Sequence, residues 1–128
     1  SGTWVHVGAV RVRLIAAANP VVQDAVLTGQ DRDEVGALVF LNPATTKDLR
    51  ADAVRGHIAA ALRALAEEGG SSTHPTRALI VAEPPSIDAN EITDKGYINQ
   101  RAVLEERAEL VDRLYAAPLA ADVVTAAG

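Results

Sequence analysis

The chain has 128 residues, 48% of them hydrophobic, and a formal net charge of −5. That length fits one domain, and the acidic balance argues against a general nucleic-acid binder, because no net basic field attracts phosphates. With no cysteine in the chain, disulfides, thiolate metal sites and cysteine nucleophiles are excluded.

Trp4, Phe40, Tyr97 and Tyr115 are the aromatic residues, so the core must be built from Val, Leu and Ile. No apolar run approaches the length of a membrane span, and no secretory apolar stretch follows a basic start. A soluble cytoplasmic domain without a membrane span is the default expectation.

Taken in order, Thr3 to Val7 is a short β-prone run between Gly2 and Gly8 and reads as a strand or hairpin arm. A helix is expected over about Ala9 to Ala18, with Val10, Leu14 and Ala17 on one face and Asn19-Pro20 as its stop. Val21 to Thr28 reads as a strand, Gly29 to Glu34 as a charged turn, and Val35 to Leu41 as a strand covered on both faces. These two strands should pair as a hairpin. Thr46 is placed to cap a long helix over about Lys47 to Glu68, with Val54, Ile58, Ala61, Leu62 and Leu65 as its buried stripe.

Gly69-Gly70 ends that helix, and Arg77 to Ala82 gives a third buried strand closed by Pro84-Pro85. A polar loop carrying Lys95 and Gly96 follows. Asn99 is placed to cap a last helix over about Gln100 to Tyr115. Residues 116–128 show no clear period and read as a mobile tail. The expected fold is α+β: a small β-α-β-β-α-β-α domain over residues 1–115, with a three-stranded central sheet, helices packed on it, and a short N-terminal hairpin strand.

The chemistry-bearing residues are sparse. His6, His57 and His74 have no metal-ligand spacing, and there is no Gly-x-Ser-x-Gly elbow, Gly-x-Gly-x-x-Gly or Walker loop. Asp31-Arg32-Asp33-Glu34 reads as a polar hairpin turn and Glu105-Glu106 as a solvated helix face. The chain has two lysines, Lys47 at a helix start and Lys95 beside Gly96. A lysine on a glycine loop can hold an anionic group as a mobile point charge. It can equally be a solvated turn residue, and local sequence does not choose between the two.

Longer strings go further. Ser1-Gly2-Thr3-Trp4-Val5-His6-Val7-Gly8, Asn19-Pro20-Val21-Val22-Gln23-Asp24-Ala25-Val26 and Thr93-Asp94-Lys95-Gly96-Tyr97-Ile98-Asn99-Gln100-Arg101 resemble the C-terminal lid domain of the adenylate-forming superfamily of acyl- and aryl-CoA synthetases, adenylation domains and luciferases. The resemblance covers about Ser1 to Tyr115. Within the superfamily, the strings Gly2 to Val5, Asp31 to Gly36, Pro85 to Thr93 and Lys95 to Arg101 are most similar to feruloyl-CoA synthetases. Many members of the superfamily have glycine before the lysine and arginine three residues after it. Here Asp94 precedes Lys95, Gly96 follows, and the arginine is Arg101.

The resemblance implies an acid–thiol ligase of two half-reactions. A carboxylate attacks the α-phosphate of MgATP, giving acyl-AMP and diphosphate; the thiol of CoA then gives the thioester and AMP. It implies that Lys95 serves the first step as the catalytic residue, with Gly96 at the nucleotide. Gly2, Thr3 and Trp4 line the passage for CoA, with Arg11 and Arg13 as further candidates beside it. The implied partners are an N-terminal adenylation domain and an aromatic or other carboxylic acid. The lid alone is expected to bind no cofactor and to be inactive. A non-catalytic docking or dimerisation module, and the lid of a fatty-acyl or carrier-protein ligase, are the alternatives.

Overall fold

A computed structural model describes residues 6–30, 32–68 and 74–128. The elements are α1 (Val7–Ala17), β1 (Val22–Thr28), β2 (Val35–Leu41), α2 (Pro43–Thr46), α3 (Ala51–Glu68), β3 (Pro75–Val81), α4 (Gln100–Glu106), α5 (Ala108–Leu114) and β4 (Val123–Thr125). The four strands form one sheet in the order β1-β2-β3-β4. β1 pairs antiparallel with β2, β2 parallel with β3, and β3 antiparallel with β4. The parallel pair is the one joined through a helix, α3, as a parallel connection requires.

Alternation along the strands builds two cores. Ala25 and Leu27 of β1, Val35, Ala37 and Val39 of β2, and Ala78 of β3 pack with Val10 and Leu14 of α1 and Val54, Ile58 and Leu62 of α3. Val26, Leu38, Phe40, Leu79 and Val81 point the other way, onto Val103 and Leu114 of α4 and α5. β2 is covered on both faces, which is why it reads as an unbroken apolar run.

The sheet has four strands, not three. The extra one comes from the aperiodic 116–128 stretch, read from sequence as a mobile tail. Val123 pairs with Leu79 and Val124 with Ala78. Two arginines of α3 fasten the segment: Arg55 donates to the carbonyls of Ala121, Val123 and Gly128 at 2.6, 2.9 and 3.1 Å, and Arg63 to that of Ala126 at 2.6 Å. The expected N-terminal strand lies almost wholly outside the described residues; its last residue, Val7, opens α1.

Two helix boundaries also differ. Thr46 does not cap the long helix. Its hydroxyl donates to the Asn42 carbonyl at 2.8 Å inside the short α2, which Asn42 caps through Ala44 N at 3.0 Å, and α3 starts only at Ala51. The last helix is broken at Arg107, where φ −115° and ψ 37° leave the helical region.

At the Thr28 end of the sheet, Tyr115 closes the second core. Its hydroxyl lies 2.6 Å from that of Thr28 and donates to the Glu34 carbonyl at 2.9 Å. Burial raises the phenol's pKa above its ordinary value, against the hydrogen bond from Thr28. Gly36 sits beneath this contact. A Cβ there would lie 2.8 Å from Leu114 Cδ2 and 3.1 Å from the Tyr115 hydroxyl.

Candidate functional site

Lys95 lies at the tip of a small hairpin. Ile92 and Ile98 form an antiparallel bridge. Inside it Thr93 N donates to the Tyr97 carbonyl at 2.7 Å, and Gly96 N to the Thr93 carbonyl at 2.9 Å. This is a three-residue loop, Asp94-Lys95-Gly96, whose last residue takes the left-handed conformation, φ +85°. Gly96 is therefore required by backbone conformation: a Cβ there would meet nothing within 4 Å. Lys95, Gly96 and Tyr97 are all exposed.

Beneath the hairpin is a groove of about 570 Å³, between Ile92 and Ile98 on one side and the ends of β2 and β3 on the other. Phe40, Leu41, Val81 and Pro85 are among its walls. Gly96 at the tip also lines this space, while Ile98 packs against the second core.

The root of the hairpin is held by a buried ion pair. Glu91, the residue before Ile92, is 1% exposed. Its carboxylate receives two bonds from Arg107, Nε to Oε2 at 2.8 Å and Nη2 to Oε1 at 2.9 Å, and one from Ser86 N at 2.8 Å. Arg107 also donates to the carbonyls of Glu83 and Pro84, both at 2.8 Å, and its guanidinium stands 5.2 Å from the centre of the Phe40 ring. The Arg107 hydrogen bond is the main reason the Glu91 carboxyl falls below the usual carboxylate range, against the opposing effect of burial. On the main chain, Glu91 N donates to the Ser86 carbonyl at 2.9 Å and Asn99 N to the Glu91 carbonyl at 2.8 Å. Asn99 then caps α4 through Ala102 N at 3.3 Å, and Gln100 Oε1 accepts from Leu27 N of β1 at 3.0 Å.

Most of the arginines are committed elsewhere. Arg11, Arg32, Arg50, Arg77, Arg101, Arg107 and Arg113 are in ion pairs. Arg101 is on the exposed face of α4 with Glu105 at 3.1 Å. Arg11, a candidate for the CoA passage, holds Asp24 at 2.7 Å, and Arg13 is exposed on α1. By contrast, no carboxylate among the described residues pairs with Lys95. Gly2, Thr3 and Trp4 lie outside the described residues. Among the described residues no three His, Asp or Glu side chains are grouped to hold a metal ion, and no helix is long and apolar enough to cross a membrane.

Sequence reasoning missed Glu91 and Arg107 as partners. One signal was available: Arg107 lies four residues after Val103 and four before Val111, on the apolar stripe of the last helix. A charge in that phase needs a buried counter-charge.

Residues 9–118 match the profile of the AMP-binding enzyme C-terminal domain. The chain belongs to that family. The family is that of the C-terminal domain of AMP-binding enzymes. Among solved structures, the A-PCP didomain of carboxylic acid reductase from Segniliparus rugosus, in complex with AMP, shares the fold with a TM-score of 0.68 and 22% identity. The match covers 85% of this chain but 16% of that one, so the family domain spans a small part of such an enzyme. No curated protein matches the chain.

Proposed function

We propose that this domain is the lid of an ATP-dependent acid–CoA ligase of the feruloyl-CoA synthetase type, and that Lys95 is its adenylation lysine. The observation that carries the reading is the setting of Lys95: a cation on a defined hairpin tip, exposed, and without a carboxylate partner among the described residues. An internal salt-bridge residue would have been neutralised, as the arginines in ion pairs are.

In the first half-reaction a carboxylate oxygen forms a bond to the α-phosphorus of ATP and the bond to the diphosphate leaving group breaks. Two anions must approach one another. The ammonium of Lys95, placed between the carboxylate and the α-phosphate oxygens, offsets that repulsion and stabilises the charge that builds on the phosphoryl oxygens. In the second half-reaction the CoA sulfur attacks the acyl carbon and AMP leaves; Gly2, Thr3 and Trp4 are proposed to line the path of the CoA arm, and Lys95 has no part in it. The Mg²⁺ that accompanies ATP is assigned to the phosphates and the N-terminal domain. The acid is proposed to be aromatic, on the likeness of the quoted strings to feruloyl-CoA synthetases, and the setting cytoplasmic.

The test is Lys95→Ala in the full-length enzyme. Adenylation, followed by ATP–diphosphate exchange, should fall roughly 10²–10³-fold, the loss typical of removing one transition-state charge stabiliser. Thioester formation from supplied acyl-AMP and CoA should be retained. Equal loss in both halves would sink a role confined to one step.

A second reading rests on the fold shared with the carboxylic acid reductase didomain: the same lysine serving an enzyme that hands its acyl group to a carrier protein. Offering acyl-AMP with CoA or with a thiol-bearing carrier separates the two.

A further inference from the structure

We infer that Glu91 and Arg107 are positioning residues for the adenylation step: their buried pair sets the direction in which the Lys95 hairpin points. The inference rests on the reading of Lys95 above. Three observations carry it.

The pair grips the hairpin at its root and nowhere else. Glu91 precedes the Ile92–Ile98 bridge, and its carbonyl takes Asn99 N just beyond that bridge. Arg107 lies at the break between α4 and α5 and binds Glu91 together with the carbonyls of Glu83 and Pro84, where the chain leaves β3. Three chain segments therefore meet in one guanidinium, whose planar fork fixes their mutual angles.

Ile98 packs against the second core at the base of the hairpin, and beyond it the groove separates the Gly96 tip from the ends of β2 and β3, so the base decides where the tip goes. Lys95 is four residues beyond Glu91, a reach of about 13 Å in extended chain. On such a lever a tilt of about 5° moves the tip by about 1 Å, and an error of that size at a catalytic group can cost roughly 100-fold in rate.

The pair is also a poor choice if stability were its whole purpose. Burying two charges carries a desolvation cost that their attraction barely repays, and apolar residues of the same volume often do as well. What the ion pair adds over Leu or Met is direction. The break at Arg107 has the same sense: leaving the helical conformation there interrupts α4–α5 at the residue that holds both Glu91 and the β3 exit.

The experiment uses the full-length enzyme with Glu91→Gln, nearly isosteric, and Arg107→Lys, which keeps a cation but loses the fork. Lys95→Ala and Tyr115→Phe are measured beside them. Both pair variants should lose roughly 100-fold in the kcat of adenylation, with KM for ATP and acid and the thioester half-reaction unchanged. Tyr115→Phe, a loss of packing bonds at the opposite end of the sheet, should leave adenylation as it is. Equal loss in both half-reactions, or full adenylation in either folded pair variant, overturns the inference. If Lys95→Ala slows adenylation and the pair variants do not, only the positioning role falls. If Lys95→Ala itself has no effect, the lysine reading falls and takes this one with it. Should Glu91→Gln fail to fold, Arg107→Lys carries the same test.

Discussion

Replacing Arg107 by Met isolates the energetic weight of the buried pair. The methionine keeps an apolar stem but removes every side-chain donor and the guanidinium over the Phe40 ring. Glu91, 1% exposed in the native chain, is then left with Ser86 N as its remaining hydrogen-bond donor. The carbonyls of Glu83 and Pro84 belong to exposed residues and can turn to water, so the stranded carboxylate dominates the loss. Leaving one partner of a buried pair uncompensated costs about 3–5 kcal/mol. Against a total stability of about 5–15 kcal/mol for a domain, that is a large fraction, and for a chain of this size it corresponds to a fall in Tm of about 12–20 °C.

The pH dependence makes this prediction specific. In the native chain the Glu91 carboxyl titrates lower when folded than when unfolded, chiefly because of Arg107. Its contribution is complete above the unfolded carboxyl pKa and is lost as the pH falls through the folded one. In Arg107→Met the largest cause of the lowering is gone, and burial outweighs the Ser86 N hydrogen bond that remains, so the folded pKa moves up, above the unfolded one. The Glu91 contribution thus grows on acidification in the variant and shrinks in the native chain, and the gap between the two narrows from pH 7 to pH 4. Urea unfolding of both chains across that range measures the gap directly. A gap below about 1 kcal/mol at pH 7, the worth of an exposed pair, would refute the reasoning, as would a gap that does not change with pH. The double variant Glu91→Leu with Arg107→Met should be more stable than Arg107→Met alone, because no charge is left buried.

Two further substitutions probe the ends of the sheet. Gly36→Ala drives a methyl to within 2.8 Å of Leu114 Cδ2 and 3.0 Å of the Thr28 hydroxyl; overpacking of this kind costs about 1–3 kcal/mol, and a chain that unfolds at the same urea concentration as the native one would contradict the contact. Gly96→Ala meets no atom but must hold φ +85°, a strain of about 1–2 kcal/mol. It should relax by distorting the Lys95 tip, seen as altered amide exchange over 93–97; unaltered exchange would mean that the loop does not need the left-handed residue.

Much of the fold was written locally. The β2 run, the stripe Val54-Ile58-Leu62 of α3 and the Asn99 cap each follow from a period or a side-chain chemistry that acts within a few residues, and the structure keeps them. The Lys95 stretch was legible only as a polar loop beside a glycine; that it closes into a hairpin with Gly96 left-handed comes from the structure. The motif strings likewise carried the family, since residues 9–118 match its profile.

What sequence could not decide was what meets across the chain. β4 has three residues, too few for a period to show, and exists because β3 offers an edge and Arg55 and Arg63 of α3 reach carbonyls within and on either side of it. The break at Arg107 is invisible in a helical pattern that runs through it; it follows from a guanidinium turned inward to Glu91, sixteen residues away. Local sequence therefore determined that a polar loop would carry Lys95 beside Gly96 between the third strand and the last helix. Only the tertiary structure decided which way that cation points, because direction is set by contacts between segments that no local pattern couples.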